Sequence, residues 1–422
     1  MLPEGWSRYL LGDVASFKNG LNFTRSDNGE SIKIVGVSDF KSRSQLAGRE
    51  GLATIQVATS VRDAELLASG DLLFVRSNGN RELIGRCLYF PHVGERLAFS
   101  GFTIRGRVDR TVLEPLFASY LMRSTMVTDQ IFLGGSGTNI SNLSQEILCG
   151  IQVKVPPLAE QRRIACILST WDQAIAAAEQ LLANCRKHRI LLGYQMLTGR
   201  RRLGRCSSDH PTKVTQHGRL PSDWDYRAIG EVAEEVSQKL GDNEAYPVLS
   251  CTKHDGLVDS LSYFKKQVFS ADVTTYKVVP KHAFVYATNH IDEGSIGYQS
   301  LYDFGLVSPM YTVFRTHGII CNAYLYALLK TEHYRQMFAS AINASVDRRG
   351  SLRWKDFRKL RIPVPPLAEQ QAIADVIAGT AREAELLQQQ LHSLRKEKAA
   401  LMAQLLTGKR RVHLNQEGVP SP

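Results

Sequence analysis

Pro156-Pro157-Leu158-Ala159-Glu160-Gln161 opens a stretch that the chain writes a second time, as Pro365-Pro366-Leu367-Ala368-Glu369-Gln370. The first copy runs to Leu197-Thr198-Gly199 followed by Arg200, Arg201 and Arg202. The second runs to Leu406-Thr407-Gly408 followed by Lys409, Arg410 and Arg411. The two register without a gap at an offset of 209, and about 19 of the 47 aligned positions are identical. A long element repeated at constant offset marks a protein built twice from one plan.

Both copies have a 3.5-residue apolar period. In the second, Ile373, Ile377, Thr380, Ala384, Leu387, Leu391, Leu394, Lys398, Leu401 and Leu405 follow a 4-3 spacing. The equivalent positions of the first are Ile164, Leu168, Trp171, Ile175, Ala178, Leu182, Cys185, Arg189, Leu192 and Met196. A period sustained over five heptads predicts a coiled-coil seam. Proline suits the first helical turn, and Gly199 and Gly408 suit left-handed caps at the exit. Each helix should run about 40 residues, or about 60 Å at 1.5 Å per residue. Arg189 and Lys398 interrupt the seam. Snorkelling stems near a helix end are the favoured reading, a register or partner contact the other.

Working outward, each helix is preceded by a globular segment of short strands and turns. Leu2-Pro3-Glu4-Gly5-Trp6 parallels Leu220-Pro221-Ser222-Asp223-Trp224, and Leu11-Gly12-Asp13-Val14-Ala15 parallels Ile229-Gly230-Glu231-Val232-Ala233. Strands are expected at 71–75 and 283–286, at 102–105 and 311–314, and at the entries to the proline pairs, 150–153 and 360–364. Helices are expected at 116–123 and 324–330. The reading is an α+β protein with two mixed α/β domains, 1–155 and 220–364. Helices 156–199 and 365–408, a linker 200–219 and a basic tail 409–422 complete the chain. Only about 20 polar residues separate the first helix from the second domain. The second helix should therefore run back along the first in an antiparallel coiled coil, with the domains held apart at opposite ends and related by a pseudo-twofold axis.

Composition is globular, 43% apolar with net charge +11, and without a membrane-length apolar run or the layout of a signal peptide. A cytoplasmic location is the expectation, and the seven scattered cysteines read as reduced, mostly buried thiols. Positive charge is concentrated: residues 180–208, 346–361 and 395–411 together carry +17, leaving −6 on the remainder. Such a footprint fits a polyanion, and complementing helix C-termini is the alternative.

The doubled PPLAEQ helix, the terminal Leu-Thr-Gly with its basic run, and their tandem repetition resemble the specificity subunit of type I restriction–modification systems. The resemblance covers essentially the whole chain. It implies two target-recognition domains, each reading one half of an asymmetric, split site in double-stranded DNA. It also implies helices that set the spacing and dock two modification (methyltransferase) subunits. S-adenosylmethionine would belong to those subunits, and ATP and Mg to the restriction (translocase-nuclease) subunits, with no membrane partner. This chain would then be a non-catalytic subunit of a restriction endonuclease and adenine methyltransferase that defends against phage. A self-sufficient enzyme with a similar recognition module, or a coiled-coil interaction protein with basic ends, are the competing readings.

No catalytic constellation or P-loop stands out, and no cofactor site is expected in this chain. The glycine-rich Gly134-Gly135-Ser136-Gly137-Thr138 lacks the phosphate-binding lysine and reads as a turn or a backbone approach to DNA phosphate. Cys206, Asp209, His210 and His217 lie near one another in the linker without zinc spacing, so no metal site is expected. Base-reading candidates are the side chains able to make bidentate hydrogen bonds in loops. They are Arg76, Ser77, Asn78, Asn80 and Arg81, with Thr138 and Asn139, in the first domain. In the second they are Asn289 and His290, beside Thr288, with Arg348 and Arg349 next to Asp347. Arg200, Arg201, Arg202, Lys409, Arg410 and Arg411 suit phosphate contacts or, nearly as well, capping of helix carbonyls.

Overall fold

The computed structural model describes residues 2–22, 25–40, 43–46, 48, 51–57, 60–134, 142–203, 211–216, 218–242, 246–343 and 350–412. The chain divides into two compact units, residues 1–180 with 389–422, and residues 181–388. Each long helix is shared between them.

The globular part of the first unit contains β1 (Ser7–Leu10), β2 (Ala15–Asn19), β3 (Arg25–Val35), β4 (Ala53–Val57), β5 (Leu72–Val75), β6 (Cys87–Tyr89), β7 (Leu97–Phe99), β8 (Thr103–Val108) and β9 (Gln152–Val155). Its helices are α1 (Leu11–Val14), α2 (Pro115–Met122), α3 (Thr125–Gly134) and α4 (Gln145–Cys149), and α5 (Leu158–Leu197) follows β9. The central sheet is antiparallel in the order β2-β8-β5-β6, with a second sheet β4-β3-β7 and the pair β1-β9. Why β5 is apolar at every position follows from the period of two along a strand. Leu72 and Phe74 pack into a core with α2 and the long helices, through Phe117, Ile164, Leu168 and Leu405. Leu73 and Val75 pack into another, with Val35, Leu88 and Phe99. Buried on both faces, the strand has no position left for a polar side chain.

The second unit repeats this plan. It contains β10 (Thr212–Thr215), β11 (Gly218–Pro221), β12 (Asp225–Ala228), β13 (Ala233–Val236), β14 (Leu249–Thr252), β15 (Gly256–Asp259), β16 (Lys277–Pro280), β17 (Phe284–Ala287), β18 (Ile296–Tyr298), β19 (Phe304–Val307), β20 (Tyr311–Thr316) and β21 (Arg361–Val364). The helices are α6 (Ile229–Val232), α7 (Ser260–Phe264), α8 (Asn322–Leu329), α9 (Glu332–Asn343), α10 (Trp354–Phe357) and α11 (Leu367–Leu406). Its central sheet, β13-β20-β17-β18, has the same order as that of the first unit. Phe284 and Tyr286 face the core that holds Trp224, Tyr324, Met196 and Ile373, while Val285 faces the other side. β1-β9 and β12-β21 are matching antiparallel pairs, so in each unit the strand after the Leu-Pro-x-x-Trp segment lies beside the one that enters the proline pair.

Within each unit the helix segments run antiparallel. In the first, Glu179 of α5 receives Arg395 of α11 at 2.6 Å, Asp172 pairs with Lys398, and Ile164 shares a core with Leu405. In the second, Arg186 donates to Gln388 at 2.7 Å, and Leu192 and Met196 share a core with Ile373 and Ala374. Of the seam positions read from the heptads, all are buried or half-buried except Arg189.

Lys398 corrects the snorkelling reading. Its ammonium pairs with Asp172 and lies over the Tyr120 ring, whose hydroxyl donates to the other Asp172 oxygen at 2.7 Å. Burial and the Asp172 carboxylate hold the Tyr120 hydroxyl protonated well above the usual phenol range. The cluster ties α2 to both long helices. Lys398→Met is expected to cost about 1 kcal/mol, the small value reflecting that Asp172, about a third exposed, can rehydrate. Arg189→Met should be within about 0.5 kcal/mol of the parent, because Arg189 is exposed. Equal losses for the two in denaturant melts would contradict this assignment.

Three further expectations change. Phe102 precedes β8 and is 63% exposed, so it is not a strand-core residue. The end of the expected linker pairs with the start of the expected second domain, in the hairpin β10-β11 that runs to Pro221. Of the six cysteines described, only Cys87 and Cys251 are buried.

Candidate nucleic-acid interface

The repeated motifs form a joint in each unit. In the second unit Arg202, 5% exposed at its side chain, donates from Nε and Nη2 to Glu369 at 2.8 and 2.6 Å. It also donates from Nη1 and Nη2 to Asp223 at 2.8 and 2.9 Å. The Trp224 indole donates to Glu369 at 3.1 Å. The two carboxylates push the Arg202 pKa still further up, so the guanidinium stays charged throughout. In the first unit Arg411 donates to both Glu160 oxygens at 2.8 and 2.9 Å, and the Trp6 indole donates to Glu160 at 3.3 Å. The neighbouring glutamine completes the motif. Gln161, fully buried, accepts from the Glu114 amide and donates to Val112 and Pro156 carbonyls. Gln370 does the same with the Cys321 amide and the Ile319 and Pro365 carbonyls. Glutamate and glutamine are therefore fixed by structure: one receives the arginine and indole, the other secures the loop before α2 or α8.

Gly199 and Gly408 cap α5 and α11 with φ of +68° and +70°, as expected for left-handed exits. A Cβ at Gly199 would lie 2.4 Å from Pro221 Cδ, and one at Gly408 2.4 Å from Pro3 Cγ. The Leu-Pro-x-x-Trp segment thus closes over the helix end in each unit.

This geometry corrects part of the phosphate-contact set. Arg202 is enclosed by carboxylates, so its donors are consumed inside the protein. Arg411 is likewise engaged, with Nη1 on the Glu4 carbonyl at 3.0 Å. Arg200, Arg201, Lys409 and Arg410 are exposed, Arg200 stacking over Tyr194. The main-chain amides of Arg201 and Arg410 donate to the Gln195 and Gln404 carbonyls at the helix ends, so capping there is done by backbone.

In each unit the described base-reading candidates follow a strand of the central sheet. Arg76, Ser77 and Asn78 follow β5, half-buried, and lead through exposed Asn80 into the turn Arg81–Leu83. Asn78 accepts from the Asn80 amide at 2.8 Å and Asn80 from the Glu82 amide at 3.0 Å, so the loop holds its own shape. In the second unit Asn289 and His290 follow β17 and lead into the turn Ile291–Glu293. His290 pairs with Glu293 at 3.3 Å. The Arg76 carbonyl accepts from the Leu143 amide at 2.8 Å, and the Thr288 carbonyl accepts from the Leu352 amide at 2.7 Å. Thr138, Asn139, Asp347, Arg348 and Arg349 lie outside the described residues, as do Gly135–Gly137, Cys206, Asp209, His210 and His217, and the Arg81 side chain.

One further residue in each unit stands beside these loops and was not among the candidates read from the sequence. Phe102 and Met310 are 63% and 61% exposed, each one residue before β8 or β20, and touch the same loops. The sequence carried a faint signal, a bulky apolar residue at or just before the first position of the matching expected strands 102–105 and 311–314.

Each unit thus carries the same sheet order, the same helix-end joint and polar loops at its strand ends, a layout suited to recognition. The family described as "Type I restriction modification DNA specificity domain" matches residues 3–184 and again 221–396. The chain belongs to this family, as a DNA-specificity subunit of type I restriction–modification systems. It is similar to the type I restriction enzyme MjaVIII specificity subunit of Methanocaldococcus jannaschii, 22% identical across 97% of this chain and 94% of that one. In fold it is similar to the HsdS subunit from Thermoanaerobacter tengcongensis, at 18% identity and TM-score 0.52, covering 97% of this chain and 98% of the other. A chain from a structure on complex assembly of the type I R-M system aligns with TM-score 0.59 and 18% identity, covering 97% and 100%. No helix among the described residues is long and apolar enough to cross a membrane.

Proposed function

We propose that each unit reads one half of an asymmetric, split site in double-stranded DNA, and that the long helices set the unread gap and dock two modification subunits. One observation carries this reading. The same loop, at the same end of the same strand, carries Arg76-Ser77-Asn78 in one unit and Thr288-Asn289-His290 in the other. Equal scaffolds with unlike polar side chains are readers of unlike sequences. Docking is supported by apolar side chains left exposed on the helices, among them Leu181, Ile190, Leu191 and Leu386. In this reading S-adenosylmethionine belongs to the modification subunits, and ATP and Mg to the restriction subunits.

Methylome sequencing of the host with and without the gene tests it. Loss of one bipartite methyl-adenine motif with unlike halves is the expected result; a methylome unchanged by the deletion overturns the reading. Asn78→Ala should then relax one position of one half, by about 1–3 kcal/mol of discrimination. Uniform weakening on all sequences would remove Asn78 from the base-reading set.

A further inference from the structure

We propose that Phe102 and Met310 are a matched pair of apolar wedges, one in each unit, that insert against base faces and unstack one step of each half-site. The proposal rests on the reading that each unit grips a half-site. Its first support is equivalence. β8 begins at Thr103 opposite Val75, and β20 begins at Tyr311 opposite Ala287, so the residues just before them hold the same place in the two sheets. The tips are built alike. Phe102 and Met310 donate their amides to the Ser100 and Ser308 hydroxyls at 3.3 and 3.5 Å. The next residue in each unit donates its amide to the same serine's carbonyl, at 2.8 and 3.0 Å.

The second support is what the tips are fastened to. The Phe102 carbonyl accepts from the Arg76 amide at 2.8 Å, and the Met310 carbonyl accepts from the Thr288 hydroxyl at 3.1 Å. In the first unit Phe102 also forms one wall of an open hollow lined by Val37, Ser77, Asn78 and Gly79. Each apolar side chain is therefore held beside the polar loop that would read bases, with most of its surface in water. Leaving so much apolar surface exposed at the same place in both copies forgoes the stabilisation that burial would give.

Chemistry narrows the target. A phosphate is met by a cation and a base edge by a donor or acceptor, and these side chains are neither. The apolar surfaces of a duplex are thymine methyls and the faces of the bases, which become available when a step opens. The polar loops differ between the units while both tips remain apolar and unbranched at Cβ. Work that persists as sequence reading changes suits base faces, which every base pair has. Phenylalanine and methionine are both side chains able to wedge a step.

The test uses the full chain and duplexes selected from a random library by the wild-type protein, with 2-aminopurine placed at successive positions. Wild type should raise fluorescence several-fold at one step in each half. Phe102→Ala should abolish the rise in one half alone and weaken binding about tenfold, while Phe102→Leu retains part of both. Met310→Ala should do the same to the other half. Since neither side chain covers a core, the variants should melt like the parent. No rise with wild type, a rise unchanged in both alanine variants, or a lost preference for thymine without any fluorescence change would each overturn the wedge. If wild type selects no sequence at all, the half-site reading falls and this proposal falls with it.

Discussion

Replacing Glu369 by alanine is expected to destabilise the unit of residues 181–388 by about 3 kcal/mol, as removing one partner of a buried ion pair does. Arg202 is 5% exposed at its side chain and would keep only Asp223 as a partner, while the Trp224 indole would lose its acceptor. Arg202→Met should cost less. The carboxylates it leaves behind, Glu369 at 16% and Asp223 at 45% exposure, can draw in water. In the other unit the order should reverse, because there the carboxylate is buried and the arginine open: Glu160 is 3% exposed and Arg411 43%. Arg411→Met should therefore exceed Glu160→Ala in its effect. Calorimetry of the four single variants reads this out, and the same order in both joints would show that burial does not set the cost.

Alanine at Gly199 or Gly408 should lower stability by about 3 kcal/mol, combining a left-handed residue with overpacking. Both glycines have φ near +70°, and in each case the new methyl would enter a proline ring at 2.4 Å. Helix interior glycines supply the contrast. A Cβ at Gly193 or Gly379 would meet nothing within 4 Å, and alanine there should stabilise by about 0.5–1 kcal/mol through helix propensity. Denaturant melts of the four variants check both signs together; a neutral Gly199→Ala would mean that the Pro221 ring moves aside freely.

Because a heptad seam and a doubled motif are local, periodic patterns, they were readable residue by residue. The 40-residue helices Leu158–Leu197 and Leu367–Leu406 lie within the expected spans, and their antiparallel pairing within each unit follows from the short connection between repeats. The central strands were visible too, since β5 and β17 are buried on both faces and apolar throughout. Arg202 and Phe102 were not. An arginine after a helix reads as a phosphate contact until its carboxylate partner, 167 residues away, is brought beside it. Phe102 alternates with Ile104 as a strand residue would, yet the turn at Ser100 ends that alternation one residue early.

The sequence by itself determined the duplication, the helices, their seam and the family, because each is carried by identity or period along the chain. Tertiary structure alone decided which of the repeated charges are engaged in joints and which side chains stand exposed at the sheet ends. Those roles depend on contacts between residues far apart in sequence, where burial and the partner, not residue type, set what a side chain can do.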